Sequence, residues 1–309
     1  MANQRNLAID RYRGLAIIFM VLVDSVEDIA GIPGWLKHAP DAGFTFADIV
    51  APMFIFAIAA TYRMSFLRRA EKGSPYSQFS GRYLAIVGVG TIFTAGGIAG
   101  DWGALQAIGA AGLLTLLVIK LSAIARAAIG CGMLLAYQLA SNFVPAVRDL
   151  IFEGDHGGFV GAVSWGAMLI LSTAVIDFYN RGIKPFLLGT GLLAVLAAGA
   201  VFLAPPSKNR VSASYVLISV VLCAVLYFVT DLISKRLPFR SDAVIWWGEN
   251  PLLLYILHLM FVGLARVPFG LLGFEEKPLA PGLLATAAML AGISLIAWAL
   301  HKKNKRISL

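Results

Sequence analysis

Apolar runs of close to twenty residues recur along the whole chain, separated by short stretches that carry Arg, Lys, Gly or Pro. About 20 residues rising 1.5 Å each cross ~30 Å of hydrocarbon, so each run is long enough to span a bilayer. The pattern predicts ten spans: Arg13 to Ile29, Ala47 to Phe66, Tyr83 to Ala99, Gly103 to Ile119, Leu121 to Ala140, Gly158 to Phe178, Pro185 to Ala204, Ser214 to Ile233, Val244 to Leu264 and Pro281 to Leu300. The expected fold is all-α, a polytopic membrane helix bundle forming one domain over residues 1–309 with no separate soluble part. The first run could instead be a signal peptide, because Arg5, Arg11 and Arg13 precede Leu15 to Val23. Acidic Asp24, Glu27 and Asp28 follow, without a clear small-residue cleavage site, which favours a retained helix.

Composition reinforces the pattern: 59% of residues are hydrophobic, 14% are charged, and the mean hydropathy is +0.80. The formal net charge of +8 gains a topological meaning when Lys and Arg are counted in alternate loops. With the N-terminus inside, 19 of the 25 basic residues fall in cytoplasmic segments, while Asp28, Asp41, Asp101, Asp149, Glu153, Asp155, Glu275 and Glu276 gather on the other face. Both termini are therefore expected in the cytoplasm and the protein in the plasma (inner) membrane as a multi-pass protein. The lipid bilayer is its expected surrounding, and no nucleic-acid partner is needed to explain the basicity. Cys131 and Cys223 lie inside predicted spans, so no structural disulfide is expected.

Three of the four histidines, His38, His156 and His258, fall on the same expected outer face. Ionisable groups at membrane depth are costly, which makes them candidates for a site. In the first span Asp10, Arg13, Ile17, Met20, Asp24 and Asp28 follow at steps of three or four and share one helix face. Asp10, Arg13 and Asp28 are as readily explained by the two interfaces, whereas Asp24 follows Val21, Leu22 and Val23 and points to a polar cavity. His38 rides on a loop that Pro40 and Gly43 keep from being helical, and Asp48 opens the second span, where it could both cap the helix and bond the imidazole. In the ninth span Asn250, Leu254 and His258 lie at i, i+4 and i+8, beside Tyr255. His258 would sit ~20 Å up that helix, in the outer half. A packing hydrogen bond between helices explains His258 equally well. The outer loop from Glu153 to Gly158 places His156 among glycines, by itself a weak signal.

No Walker loop, dinucleotide fingerprint, HExxH or nucleophile elbow occurs. A metal site built from His38, His156, His258 and Asp24 has little support in their scattered spacing, and no metal is expected.

The residues also resemble a known family. Asp10, Arg13 and Gly14, then His38, Ala39, Gly43, Asp48, Pro52, Phe54 and Phe56, are similar to the heparan-alpha-glucosaminide N-acetyltransferase family of transmembrane acyltransferases. Gly103, Leu105 and Gln106 at the start of the fourth span, and Asn250, Tyr255 and His258 in the ninth, extend the resemblance. It implies transfer of an acetyl group from cytoplasmic acetyl-CoA to an extracytoplasmic amine or hydroxyl of a small carbohydrate-like acceptor. The family's catalytic histidine falls on His38, and the asparagine of its first helix is Asp24 here. The family has Arg where this chain has Ala107, and Asp-Pro-Glu-Gly where this chain has Asp155, His156, Gly157 and Gly158.

The expected catalytic group is thus His38 with Asp24 or Asp48 orienting it. Asn250, His258, Tyr255, Gln106 and His156 are expected to line the acceptor or donor path. Arg13, Arg68, Arg69 and Arg240 are candidate partners for the phosphates of acetyl-CoA. The rival class is a non-catalytic membrane protein, a transporter or a subunit of a larger complex, suggested by the departures and by small residues suited to tight packing from Ala194 to Ala200. No inverted repeat supports a transporter. A homo-oligomer or a membrane-complex partner stays open on sequence grounds.

Overall fold

The computed structural model describes residues 6–71, 73–95, 102–236 and 242–307. Twelve α-helices occur among them: α1 Leu7–Val26, α2 Val50–Ala70, α3 Pro75–Ala95, α4 Ala104–Val118, α5 Ala123–Phe143, α6 Pro145–Glu153, α7 Gly158–Arg181, α8 Ile183–Ala200, α9 Ala213–Arg236, α10 Ala243–Glu249, α11 Pro251–Leu271 and α12 Leu279–Lys302. No β-strand occurs among the described residues; a single parallel bridge joins Ile29 and Lys277. The all-helical fold follows from solvent physics, because a helix satisfies its own backbone hydrogen bonds where lipid offers none.

Among the described residues seven helices are long and apolar enough to cross a membrane: α2 with the 3-10 turn before it, α5, α7 with the 3-10 turn before it, α8, α9, α11 and α12. The chain is an integral membrane protein of several spans. The other expected stretches are helical over residues 13–26, 83–95 and 104–118, with 96–99 of the third expected span lying outside the described residues; α4 has only 15 residues and α1 carries Asp10, Arg11, Arg13 and Asp24 within its 20.

The expected ninth span is corrected. Instead of one helix from Val244 to Leu264, α10 stops at Glu249, Asn250 takes a non-helical backbone (φ −130°, ψ 53°), and Pro251 opens α11. Proline lacks an N–H and is tolerated in the first helical turn, so Asn250-Pro251 is a restart rather than a mid-helix break. Helix α6 was not expected from the hydrophobic pattern.

The chain divides into two compact units. The first comprises residues 1–39, 45–54 and 225–308. In it α1 packs chiefly on α10, and α10 on α12. The α1–α10 approach is close because Gly14 and Gly248 face backbone: a Cβ on Gly14 would collide with Val244 O, and one on Gly248 with Asp10 O. Arg11, buried on α1, donates through Nε to Asp242 Oδ2 at 2.9 Å, and Asp242 also caps α10 by accepting from Ile245 N at 2.8 Å.

The second unit comprises residues 40–44, 55–224 and 309. Its centre is α7, which packs on α4, α5, α6 and α8 and buries residues all round its circumference, as expected of a helix with little polarity on any face. Arg126 of α5 is wholly buried there; it donates to Thr173 Oγ1 at 2.6 Å and to Leu121 O at 3.3 Å and pairs with Asp177, which Arg63 approaches at 3.5 Å. A buried guanidinium is held only when its donors are met, and all of these partners belong to α5, to α7 or to the turn before α5.

Candidate functional site

In the first unit, the end of α1 and the segment after it carry three carboxylates that reach three targets. Asp24 Oδ2 lies 2.7 Å from His258 Nε2 on α11. Glu27, just past the helix, accepts from the backbone N–H of His38 at 3.2 Å. Asp28 Oδ2 accepts from Arg266 Nε of α11 at 2.5 Å, while its carbonyl accepts from Lys277 N at 2.7 Å. Asp24 lies in the last turns of α1 and Asp28 just beyond its end, and His258 and Arg266 are eight residues apart on α11. The polar stripe of the first span therefore fastens α1 to α11.

The His38 loop is built by Asp48. Its carboxylate accepts from Thr45 N at 2.9 Å, just before the 3-10 turn Ala47–Ile49 that holds Asp48, and from Ala39 N at 3.4 Å. Asp48 Oδ1 stands 2.9 Å from His38 Nδ1. Thr45 Oγ1 lies 2.8 Å from Lys37 O and 3.0 Å from Asp48 Oδ2, closing the turn. Asp48 is buried, with an exposure of 1%, whereas His38 is half-buried. A carboxylate on Nδ1 selects the tautomer with Nδ1–H, which places the imidazole lone pair on Nε2. Of the two carboxylates expected to orient His38, Asp48 makes the hydrogen bond and Asp24 is engaged by His258.

His258 is the reverse case. It is fully buried and bonds its carboxylate through Nε2, while Nδ1 is buried without a hydrogen-bond partner among the described residues. The i, i+4 stripe on α11 is present: Leu254, Tyr255, His258 and Val262 are its buried residues. Tyr255 contacts His258 at 5.0 Å and Phe54 at 6.0 Å between ring centroids.

The remaining expected residues fall elsewhere. Asn250 is buried, and its side-chain amide is held by the C-terminal segment, donating to Lys305 O at 3.2 Å and accepting from Ile307 N at 2.7 Å. Gln106 caps α4, accepting from Gly103 N at 3.2 Å and donating to Thr94 Oγ1 at 2.8 Å, in the second unit. His156, also in the second unit, has a left-handed backbone (φ 56°) and a carbonyl that accepts from Trp165 Nε1 at 3.2 Å. Arg13 is half-buried on α1, Arg68 is exposed on the last turn of α2, Arg69 lies 5.1 Å from the Phe79 ring centroid, and Arg240 lies outside the described residues.

Sequence reasoning missed Glu27 and Thr45 as supports of the His38 loop. The spacing Thr45-x-x-Asp48 before an apolar run was the available signal. Lys277 was also missed. It is buried, its backbone pairs with both Asp28 O and Ala30 N, and burial pulls its amine below the ordinary lysine range. Among the described residues no group of three or more His, Cys, Asp or Glu could hold a metal ion.

Many apolar helices, with a histidine oriented by a buried carboxylate at the mouth of a span, define a multi-pass membrane protein with the parts for proton transfer. Over residues 5–154 the chain matches the family model of heparan-alpha-glucosaminide N-acetyltransferase, catalytic, which bears out the resemblance to that family over those residues. The matched region is membrane acyltransferase-like and holds Asp24, His38, Asp48 and Gln106; Asn250, Tyr255 and His258 lie beyond it. No curated protein matches the chain.

Proposed function

We propose that this protein is an acyltransferase that moves an acetyl group from cytoplasmic acetyl-CoA to an extracytoplasmic amine or hydroxyl of a sugar-like acceptor. The observation that carries this reading is the His38–Asp48 pair inside the region that matches the N-acetyltransferase family. His38 is the general base: its Nε2 takes the acceptor's proton as the acceptor attacks the acetyl carbonyl, a role worth roughly 10² to 10⁴ in rate. Asp48 holds the ring and its tautomer, and Glu27 holds the backbone that carries it. Acetyl-CoA, as co-substrate, supplies the thioester whose C–S bond breaks. Arg68, exposed and with no ion pair among the described residues, suits its phosphates. The Asp24–His258 pair positions α1 against α11.

The reading includes ten membrane crossings with both termini cytoplasmic, which the asymmetry of basic residues supports. Purified full-length protein in nanodiscs, given acetyl-CoA and a panel of amino sugars and sugars, is expected to release CoA only when an acceptor is present. Absence of both CoA release and acetyl-CoA binding would replace the enzyme with the non-catalytic alternative, for which the neutral Ala107 in the family's arginine position speaks.

A further inference from the structure

The second unit contains a cavity of about 290 Å³ that the acyltransferase reading does not use. Its walls come from the end of α5 (Tyr137, Gln138, Asn142), from α6 (Arg148, Phe152) and from the segment between α8 and α9 that includes Arg210. The lining mixes polar and aromatic side chains with the apolar Leu203, Ala204 and Pro205, and its charged members among the described residues are the two arginines.

The polar wall is fixed in place. Gln138 Oε1 accepts from Ala213 N at 3.0 Å, Gln138 Nε2 donates to Asn142 Oδ1 at 2.9 Å, and Asn142 Nδ2 donates to Leu203 O at 3.2 Å. Tyr137 Oη donates to Arg210 O at 2.7 Å. The segment is further pinned by Ser212 Oγ, which accepts from Ser207 N at 3.0 Å, and by Ser214 Oγ, which donates to Ala204 O at 2.8 Å. Next to Arg210 the backbone is strained: Val211 is β-branched and fully buried, yet has φ 48°. Such a conformation persists only where its surroundings impose it, and strained positions cluster at ligand sites.

Of the two charges, that of Arg210 is held in place and that of Arg148 is loosely engaged. The Arg210 guanidinium pairs with Asp41 and lies over the Phe152 ring, 4.0 Å from its centroid. Arg148 is exposed, and its one ion pair among the described residues, to Asp149, is long at 3.8 Å. Two guanidinium groups recognise a phosphate or carboxylate. Side-chain amides and a serine recognise hydroxyls, and aromatic faces stack on a sugar ring. The volume sits at the lower limit of small-molecule sites, enough for one sugar-sized ligand.

We propose that this cavity binds a hydroxyl-bearing anion the size of a single sugar. The inference goes beyond the acyltransferase reading and stands whether or not the protein is an enzyme. The same chemistry could be presented by a soluble acidic sugar or by a hydroxylated lipid headgroup.

The test is calorimetric titration of the full chain in phosphatidylcholine nanodiscs with glucuronate, glucose 6-phosphate and glucose. At least one anion is expected to bind roughly tenfold or more tightly than glucose, and Arg148→Gln, at an exposed position, should remove most of that advantage without changing the unfolding temperature. Phe152→Ala should weaken binding of anion and neutral sugar together. If phosphatidylglycerol in the disc competes with the soluble anion, or binds where neither soluble anion does with the same loss in Arg148→Gln, the headgroup is the occupant. Binding that ignores both substitutions, equal binding of glucose and the anions, or no binding by either anion or phosphatidylglycerol would overturn the proposal.

Discussion

The imidazoles of His38 and His258 bond a carboxylate through opposite ring nitrogens, so in the neutral ring the lone pair is left on Nε2 of the first and on Nδ1 of the second. That difference separates their expected phenotypes. His38→Ala should cut acceptor-dependent CoA release by roughly 10² to 10⁴, about 3 to 5 kcal/mol of barrier, with acetyl-CoA binding retained. Wild-type turnover in that variant would remove His38 from the chemistry. Asp48→Asn keeps an acceptor for Thr45 N but loses the carboxylate on Nδ1, a change that in a serine-protease-type pair lowers kcat by about 10⁴; turnover at unchanged unfolding temperature measures it. Lys277 makes a pH prediction. Because burial lowers its folded pKa, the unfolded chain binds more protons between that lowered value and 10.5, so its contribution to stability improves as pH rises through this window. Lys277→Met should therefore raise the unfolding temperature in detergent at pH 7, by an amount that shrinks toward pH 10.5; an equal gain at both pH values would exclude titration of the amine. At this scale the sequence disclosed the His38–Asp48 pair, because both residues sit close along one short irregular loop. It did not disclose that Asp24 would meet His258, since 234 residues separate that pair and spacing is silent about long-range contacts.

Helix α10 shows what hydrophobic periodicity can and cannot read. The stretch from Ala243 to Leu271 is apolar enough to look like one span, and the break at Asn250-Pro251 was written in a proline that the apolar pattern outweighed. The seven-residue α10 is too short to be stable alone, so it depends on its contact with α1. Gly14 and Gly248 are the two positions where that contact admits no side chain. Gly248→Val should cost at least the roughly 1 to 3 kcal/mol of ordinary overpacking, because the obstacle is a backbone carbonyl rather than a side chain that can turn away. Lower yield and a lower unfolding temperature are the readouts, and Gly263→Ala on α11, where a Cβ meets nothing, serves as the matched control.

For the molecule as a whole, the bundle character was legible because every span must bury its own backbone bonds, which leaves long apolar runs in the sequence. The division into two compact units was not, since both draw on segments far apart in the chain. Orientation rests on the distribution of Lys and Arg, and it can be checked directly: in intact cells a cysteine at Ser74 should be shielded from an impermeant thiol reagent and one at Asp155 should react. The reverse labelling would move the His38 loop to the cytoplasmic side. The amide of Asn250 adds a matter of timing. The backbone groups it binds, Lys305 O and Ile307 N, lie 55 and 57 residues further along the chain. At about 5 to 20 residues per second, synthesis reaches them roughly 3 to 11 seconds after Asn250 itself. Throughout that interval the joint between α10 and α11 is made without its natural latch, which gives an insertase or chaperone a reason to hold it.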